Sequence, residues 1–243
     1  MRAEAASRRG TVSGGLAACA LLIGCMSNAP VIAGPGTASA PAATAAPART
    51  ACSFGAFVEE TDPAGLNVRA AAGTQAPVLG TLPPTLVDEA NGGLRVRVEV
   101  EVLGVSDGWF RIARARDNEA LTGQPARPMF GGEGWVSGRK LTVKSQAVRG
   151  HARPDAGSPT WLKLGDGESF DNDAMVSAGQ LVDCKGAWAQ VEFAPDRLPD
   201  DVRRALVVTP AARAGLPAGR LRAWVDRLCA LQETSCSGGE TRR

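Results

Sequence analysis

The 243-residue chain predicts an all-β fold made of two tandem small barrels, and three observations carry that expectation. Apolar residues fall at every second position of Leu94-Arg-Val-Arg-Val-Glu-Val-Glu-Val102, the period of a strand with one buried face. Gly and Pro turns are frequent after residue 50, and helical periodicity is almost absent. Finally, GLNVRAAAGTQAPVLGTL at 65–82 returns in altered form as VRGHARPDAGSPTWLKL at 148–164.

Taken in order, the first elements concern export. Arg2, Arg8 and Arg9 stand against Glu4, and Thr11 to Gly24 carries no charge, with Leu16, Leu21, Leu22 and Ile23 at its apolar centre. That is the layout of a signal peptide over residues 1–24, too short for a permanent span. Leu22-Ile23-Gly24-Cys25 resembles the lipobox of bacterial lipoproteins, which implies a lipid on Cys25; a cut after Ala29 or Ala33, releasing a soluble protein, is the alternative. Met26 in place of an Asp implies, by the same resemblance, the outer membrane. Residues 25–50 are mainly Ala, Pro, Gly, Ser and Thr, a disordered tether. Removing a leader of three Arg and one Glu takes +2 from a chain of formal charge +2, so the mature protein is near neutral and nucleic acid is not expected as a partner.

The folded part divides into 51–146 and 147–237, followed by a disordered tail at 238–243. In the first copy the alternating strand places Arg95, Arg97, Glu99 and Glu101 on a solvated face. A turn at Ser106-Asp107-Gly108 leads to Trp109-Phe110-Arg111-Ile112, with Phe110 and Ile112 inward and Trp109 on the other face or at the rim, and then to Gly134-Trp135-Val136. The second copy runs Ala152-Arg153-Pro154, Leu162-Lys-Leu164, Leu181-Val182-Asp183-Cys184, a turn at Lys185-Gly186, Trp188-Ala189-Gln190-Val191 and Ala223-Trp224-Val225.

Gly65-Leu66-Asn67-Val68-Arg69, Val78-Leu79-Gly80-Thr81-Leu82, the Trp109 strand and Gly134-Trp135-Val136 together resemble a bacterial SH3 (SH3b) domain, a five-stranded barrel of exported proteins. The second copy keeps Arg153, Trp188 and Trp224, lacks the Asn, and has Trp161 where Leu79 falls when Pro77 and Pro159 are aligned. The resemblance implies a non-catalytic envelope protein that binds peptidoglycan or a wall-associated partner, with Asn67, Arg69, Trp109, Trp135, Trp188 and Trp224 as candidate ligand contacts. The tryptophans are alternatively caps on their own barrels or the packing between them. Both copies depart from a compact SH3b alike: Trp109 is 26 residues from Trp135, and Trp188 is 36 from Trp224. The first insertion, 118–132, reads as a long loop; the second holds Pro199-Asp200-Asp201-Val-Arg-Arg-Ala-Leu206, an Asp cap ahead of one or two helical turns. A structural or adaptor lipoprotein that binds another envelope protein through these insertions is the rival function.

No enzyme, metal or cofactor is expected. The single histidine, His151, lies among Gly, Arg and Pro and reads as a surface loop residue. Asp166-Gly-Glu168 and Asp171-Asn172-Asp173 do not fit a calcium loop and read as a solvated turn. Cys52, Cys184, Cys229 and Cys236 are an even number for an oxidising compartment and predict two disulfides. Cys184 with Cys229 and Cys52 with Cys236 is the favoured pairing, Cys229 with Cys236 the competitor.

Overall fold

The computed structural model describes residues 48–232, which lie in one compact unit. The leader at 1–24, Cys25, most of the tether, Cys236 and the tail at 238–243 fall outside the described residues.

The first sheet is built from β1 (Thr50–Val58), β2 (Leu66–Arg69), β3 (Val78–Leu82), β6 (Glu99–Ser106), β7 (Trp109–Arg116), β8 (Gly134–Ser137) and β9 (Leu141–Thr142). Between β3 and β6 a separate hairpin, β4 (Leu86–Asp88) with β5 (Leu94–Val96), makes a small sheet of its own. The second sheet holds β10 (Gly150–His151), β11 (Thr160–Leu164), β12 (Gly179–Lys185), β13 (Trp188–Phe193), β14 (Leu206–Val208) and β15 (Leu221–Val225). Short helices α1 (Glu119–Thr122), α2 (Asp173–Ala178) and α3 (Asp200–Ala205) lie in the connections. The strand pairs are antiparallel, which is the all-β class the alternation and turns predict.

The repetition holds at the level of topology. Five strands of the first sheet run β3-β2-β8-β7-β6 and five of the second run β11-β10-β15-β13-β12, the same order with the same chain direction. Turn chemistry explains the central hairpin of each: Asp107 and Gly108 both have positive φ, 51° and 75°, the pattern of a type I′ turn, and Gly186 with φ of 57° opens the corresponding turn. Phe110 and Ile112 are buried as the alternation requires, and so are Ala189 and Val191.

Register also corrects the alignment of the two copies. Arg69 faces Trp135 across the ladder and His151 faces Trp224, so the counterpart of Arg69 is His151 rather than Arg153. The hydrogen bond from Ala70 N–H to the Pro77 carbonyl returns as Ala152 to Pro159, both 2.9 Å, so Trp161 does take the place of Leu79. Side-chain volume is exchanged between partners: a Cβ on Gly134 would stand 2.3 Å from Val68, and one on Gly150, the equivalent of Val68, would stand 2.6 Å from Ala223.

Buried side chains of both sheets belong to one contiguous apolar cluster, joined by residues such as Leu141, Val143, Met175, Ala178 and Leu181. The alternating segment does not behave as a single half-solvated strand. It breaks between β5 and β6, and Arg97 and Glu99 are buried at 1% and 3% exposure. The reason is tertiary: Glu59, α2 and the residues after β15 cover the face that local patterning assigns to water.

The insertions are packed. In the first, Asp117 accepts from the backbone N–H of Arg127 at 3.0 Å and from its Nε and Nη2 at 2.7 Å, while Arg127 Nη1 reaches the Pro84 carbonyl at 2.6 Å. The Phe130 ring lies on Gly80, where any Cβ would be 2.8 Å from it. In the second, α3 forms as expected but its cap position is Pro199; Asp200 and Asp201 sit in the first turn, where the helix dipole favours their charge. The chain then adds β14 to the edge of β11.

The favoured pairing, Cys184 with Cys229 and Cys52 with Cys236, is corrected on both counts. Cys52 bonds Cys184, with Cα atoms 6.0 Å apart, and Cys229 is disulfide-bonded as well. β1 causes this, because Ser53 N–H donates to the Gly186 carbonyl at 2.9 Å and Gly186 N–H to Ala51 at 3.1 Å, laying the start of the folded region beside the hairpin of the second repeat.

Candidate functional site

Two surfaces gather the polar and aromatic side chains that could meet a ligand. The first is the pair of strand starts at Trp109 and Trp188. Each tryptophan begins the fourth strand of its repeat, two residues before the residue that faces the second tryptophan: Arg111 opposite Trp135, Gln190 opposite Trp224. Both rings are half-buried, as a residue alternating with inward Phe110 or Ala189 at a sheet end should be. Trp135 is fully buried and Trp224 is 8% exposed, so the assignment of these two as ligand platforms is corrected: they are covered on the sheet face opposite the apolar cluster, across from Arg111 and Gln190.

Asn67 is exposed on β2, but Arg69 is committed to its own repeat, its Nη1 donating to the Ala76 carbonyl at 2.7 Å. His151 does the same in the second copy. Its Nδ1 lies 3.1 Å from the Ser158 carbonyl, seven residues on as Ala76 is from Arg69, and because a carbonyl only accepts, that nitrogen carries the proton. His151 is therefore buried, not a surface loop residue, and its ring stands edge-on to Trp188 with centroids 5.7 Å apart. Two different side chains close the same loop in the two repeats. The sequence hid this because the motif alignment matched arginine with arginine, two places out of register.

The second surface is a cleft of about 550 Å³ between the β4–β5 hairpin and α2, with Arg95, Lys144, Asp171 and Asp173 in its walls. At its floor the Arg97 guanidinium pairs through Nε with Glu59 and through Nη1 with Asp173 at 2.8 Å, and donates from Nη2 to Ser177 Oγ at 2.7 Å. Glu59 also takes Arg95. Glu99 accepts from Arg116 Nε at 2.7 Å and Asn118 Nδ2 at 3.0 Å. Asp173 opens α2 and stays exposed to solvent while it pairs with Arg97, and Asn172 caps α2 by accepting from Met175 N–H at 2.9 Å. A fork of guanidinium donors meeting carboxylates from both repeats fixes their relation more than it offers free charge. Nearby, burial pushes the Glu60 carboxyl up, but the Lys140 ammonium and the N–H groups of Thr61 and Asp62 outweigh burial and hold it below its ordinary value. The Arg127 hydrogen bond, over the opposing effect of burial, likewise lowers Asp117.

Sequence reasoning missed Glu59, Gln232 and the burial of Arg97. The one local signal was the density of paired charge on β5 and β6, which a solvated face does not need. Among the described residues no three His, Cys, Asp or Glu side chains are grouped to hold a metal ion, and no helix is long and apolar enough to cross a membrane. Neither models of known protein families, nor curated proteins, nor solved structures match the chain.

Proposed function

We propose that this is an exported, non-catalytic envelope protein whose two SH3b-like modules bind peptidoglycan or a wall-associated partner, held on the periplasmic side of the outer membrane by a lipid on Cys25. The observation that carries the reading is the half-buried tryptophan at the same register position of both repeats, Trp109 and Trp188, each presenting part of an aromatic face at a sheet end. A partly exposed indole suits sugar rings or an extended peptide. The Cys52–Cys184 bond fits an oxidising compartment, and the basic, then uncharged, N-terminus supports export. The rival adaptor reading, through the insertions, is weakened by how much of each insertion is spent on its own sheet, through Arg127 and Phe130 in one case and β14 in the other.

The test uses purified sacculi. Trp109→Ala with Trp188→Ala should remove sacculus binding and leave the thermal melt within a few degrees of wild type. Unchanged binding refutes the platform, and a collapse of the melt shows the rings to be structural. Labelled fatty acid should enter the wild type and not Cys25→Ala; no label in the wild type removes the anchor but not the binding claim.

A further inference from the structure

Residues Cys229 to Gln232 leave the second repeat and lie across the first. Cys229 N–H donates to the Lys144 carbonyl at 2.9 Å, and Arg116 Nη2 reaches the Ala230 carbonyl at 3.3 Å. β1 makes room for them with Gly55, where a Cβ would stand 2.6 Å from Ala230 Cα. Gln232 then engages with each of its polar groups. Its N–H donates to Glu99 Oε1 at 2.9 Å, its carbonyl accepts from Lys144 Nζ at 3.2 Å, its Oε1 accepts from the Arg97 N–H at 2.8 Å, and its Nε2 donates to the Arg95 carbonyl.

That pattern suits a carboxamide side chain. The Arg95 carbonyl and the Arg97 N–H, two residues apart at the end of β5, present an acceptor beside a donor. A primary carboxamide offers the complement on one planar group, whereas a carboxylate lacks the donor and an ammonium lacks the acceptor. The segment is also a partition. On one side of it lies the 550 Å³ cleft, with Gln232 in its wall, and on the other a cleft of about 590 Å³ walled by Ala230, Leu231, Phe54 and Val100. Phe57 of β1 lines the first cleft with the β4–β5 hairpin and α2, and β1 with β6 lines the second, so the segment borders both.

We propose that this face of the first repeat is a peptide-reading site, selective for an extended segment with a carboxamide side chain, and that Ala230-Leu231-Gln232 of the same chain occupies it in cis. A partner peptide of the same chemistry takes the site by displacing the chain's own segment. The tethered occupant competes at an effective concentration of order millimolar, which sets a threshold for any partner. The inference is independent of the wall-binding reading, since it concerns a different face from Trp109 and Trp188.

The test uses the full chain with Gln232→Ala and the probe acetyl-Ala-Leu-Gln-N-methylamide, followed through the Arg97 backbone amide in nitrogen-15 correlation spectra. The amide should shift saturably with the probe. Binding should be at least about tenfold weaker, ~1.4 kcal/mol, for the Glu and Leu analogues of the probe and for the probe on wild-type protein. No shift at millimolar probe, or equal affinity for the three probes, overturns the proposal and leaves the segment a permanent staple. If Gln232→Ala does not fold, Gln232→Glu keeps the side-chain length but loses the donor to Arg95, and the same comparisons decide. Sacculus binding is measured on the same proteins, so failure of one claim is visible separately from the other.

Discussion

Arg97 carries a full charge where 1% of the residue reaches solvent, and it is tolerable there only because Glu59, Asp173 and Ser177 take its donors in one plane. Removing one member of such a group strands the others. Arg97→Ala should therefore cost about 3–5 kcal/mol in urea unfolding, with Arg97→Lys recovering little because an ammonium cannot reproduce the fork. A loss below about 1 kcal/mol would mean that Glu59 finds other partners or water. Arg69 and His151 make the complementary point. One donor placed opposite a buried tryptophan closes the same seven-residue loop, and guanidinium or imidazole serves equally, because the loop needs only an N–H aimed at a carbonyl.

At the scale of elements, the first insertion is held by Asp117 and Arg127, and the strand end after β1 by Glu60 and Lys140. Both carboxyls lie below their ordinary values of 3.8 and 4.5, so each binds its proton less readily in the folded than in the unfolded chain. The unfolded state then holds more protons in acid. The stabilisation is complete above the unfolded values and is lost as pH falls below about 4.5 and on through the lowered folded values. Asp117→Asn and Glu60→Gln should each lower the melting temperature at pH 7 and flatten its acid decline, measured from pH 7 to pH 2.5. A double variant that keeps the wild-type slope would show that other carboxylates carry the acid limb.

Across the whole molecule the Cys52–Cys184 bond closes a loop of 132 residues and ties the start of the first sheet to the hairpin of the second. Loop entropy alone sets an upper figure of about 5 kcal/mol for closing so long a loop, and about 2–4 kcal/mol is the usual range. Cys52→Ser with Cys184→Ser should lower the urea midpoint accordingly. It should also speed hydrogen exchange at Ser53 N–H, which is bonded to Gly186, ahead of amides in the middle of β6. An unchanged midpoint would show that the shared apolar cluster holds the repeats together without the bond.

The sequence by itself determined the β class, the doubled order of strands, the tight turn at Asp107-Gly108 and the inward set of Phe110 and Ile112. These follow from period-two patterning and from glycine and aspartate at positive φ, which act within a few residues. α3 was legible for the same reason, although the cap fell on Pro199. Tertiary structure alone decided which cysteines meet, which arginine-like position the histidine fills, and that Trp135, Arg97 and Glu99 are covered. Each depends on segments far apart in the chain: β1 reaching Gly186, α2 reaching Arg97, and Gln232 reaching back 133 residues to Glu99. Local alternation states that one face of a strand is polar. Whether water or another part of the chain satisfies that face depends on where the two repeats pack against each other.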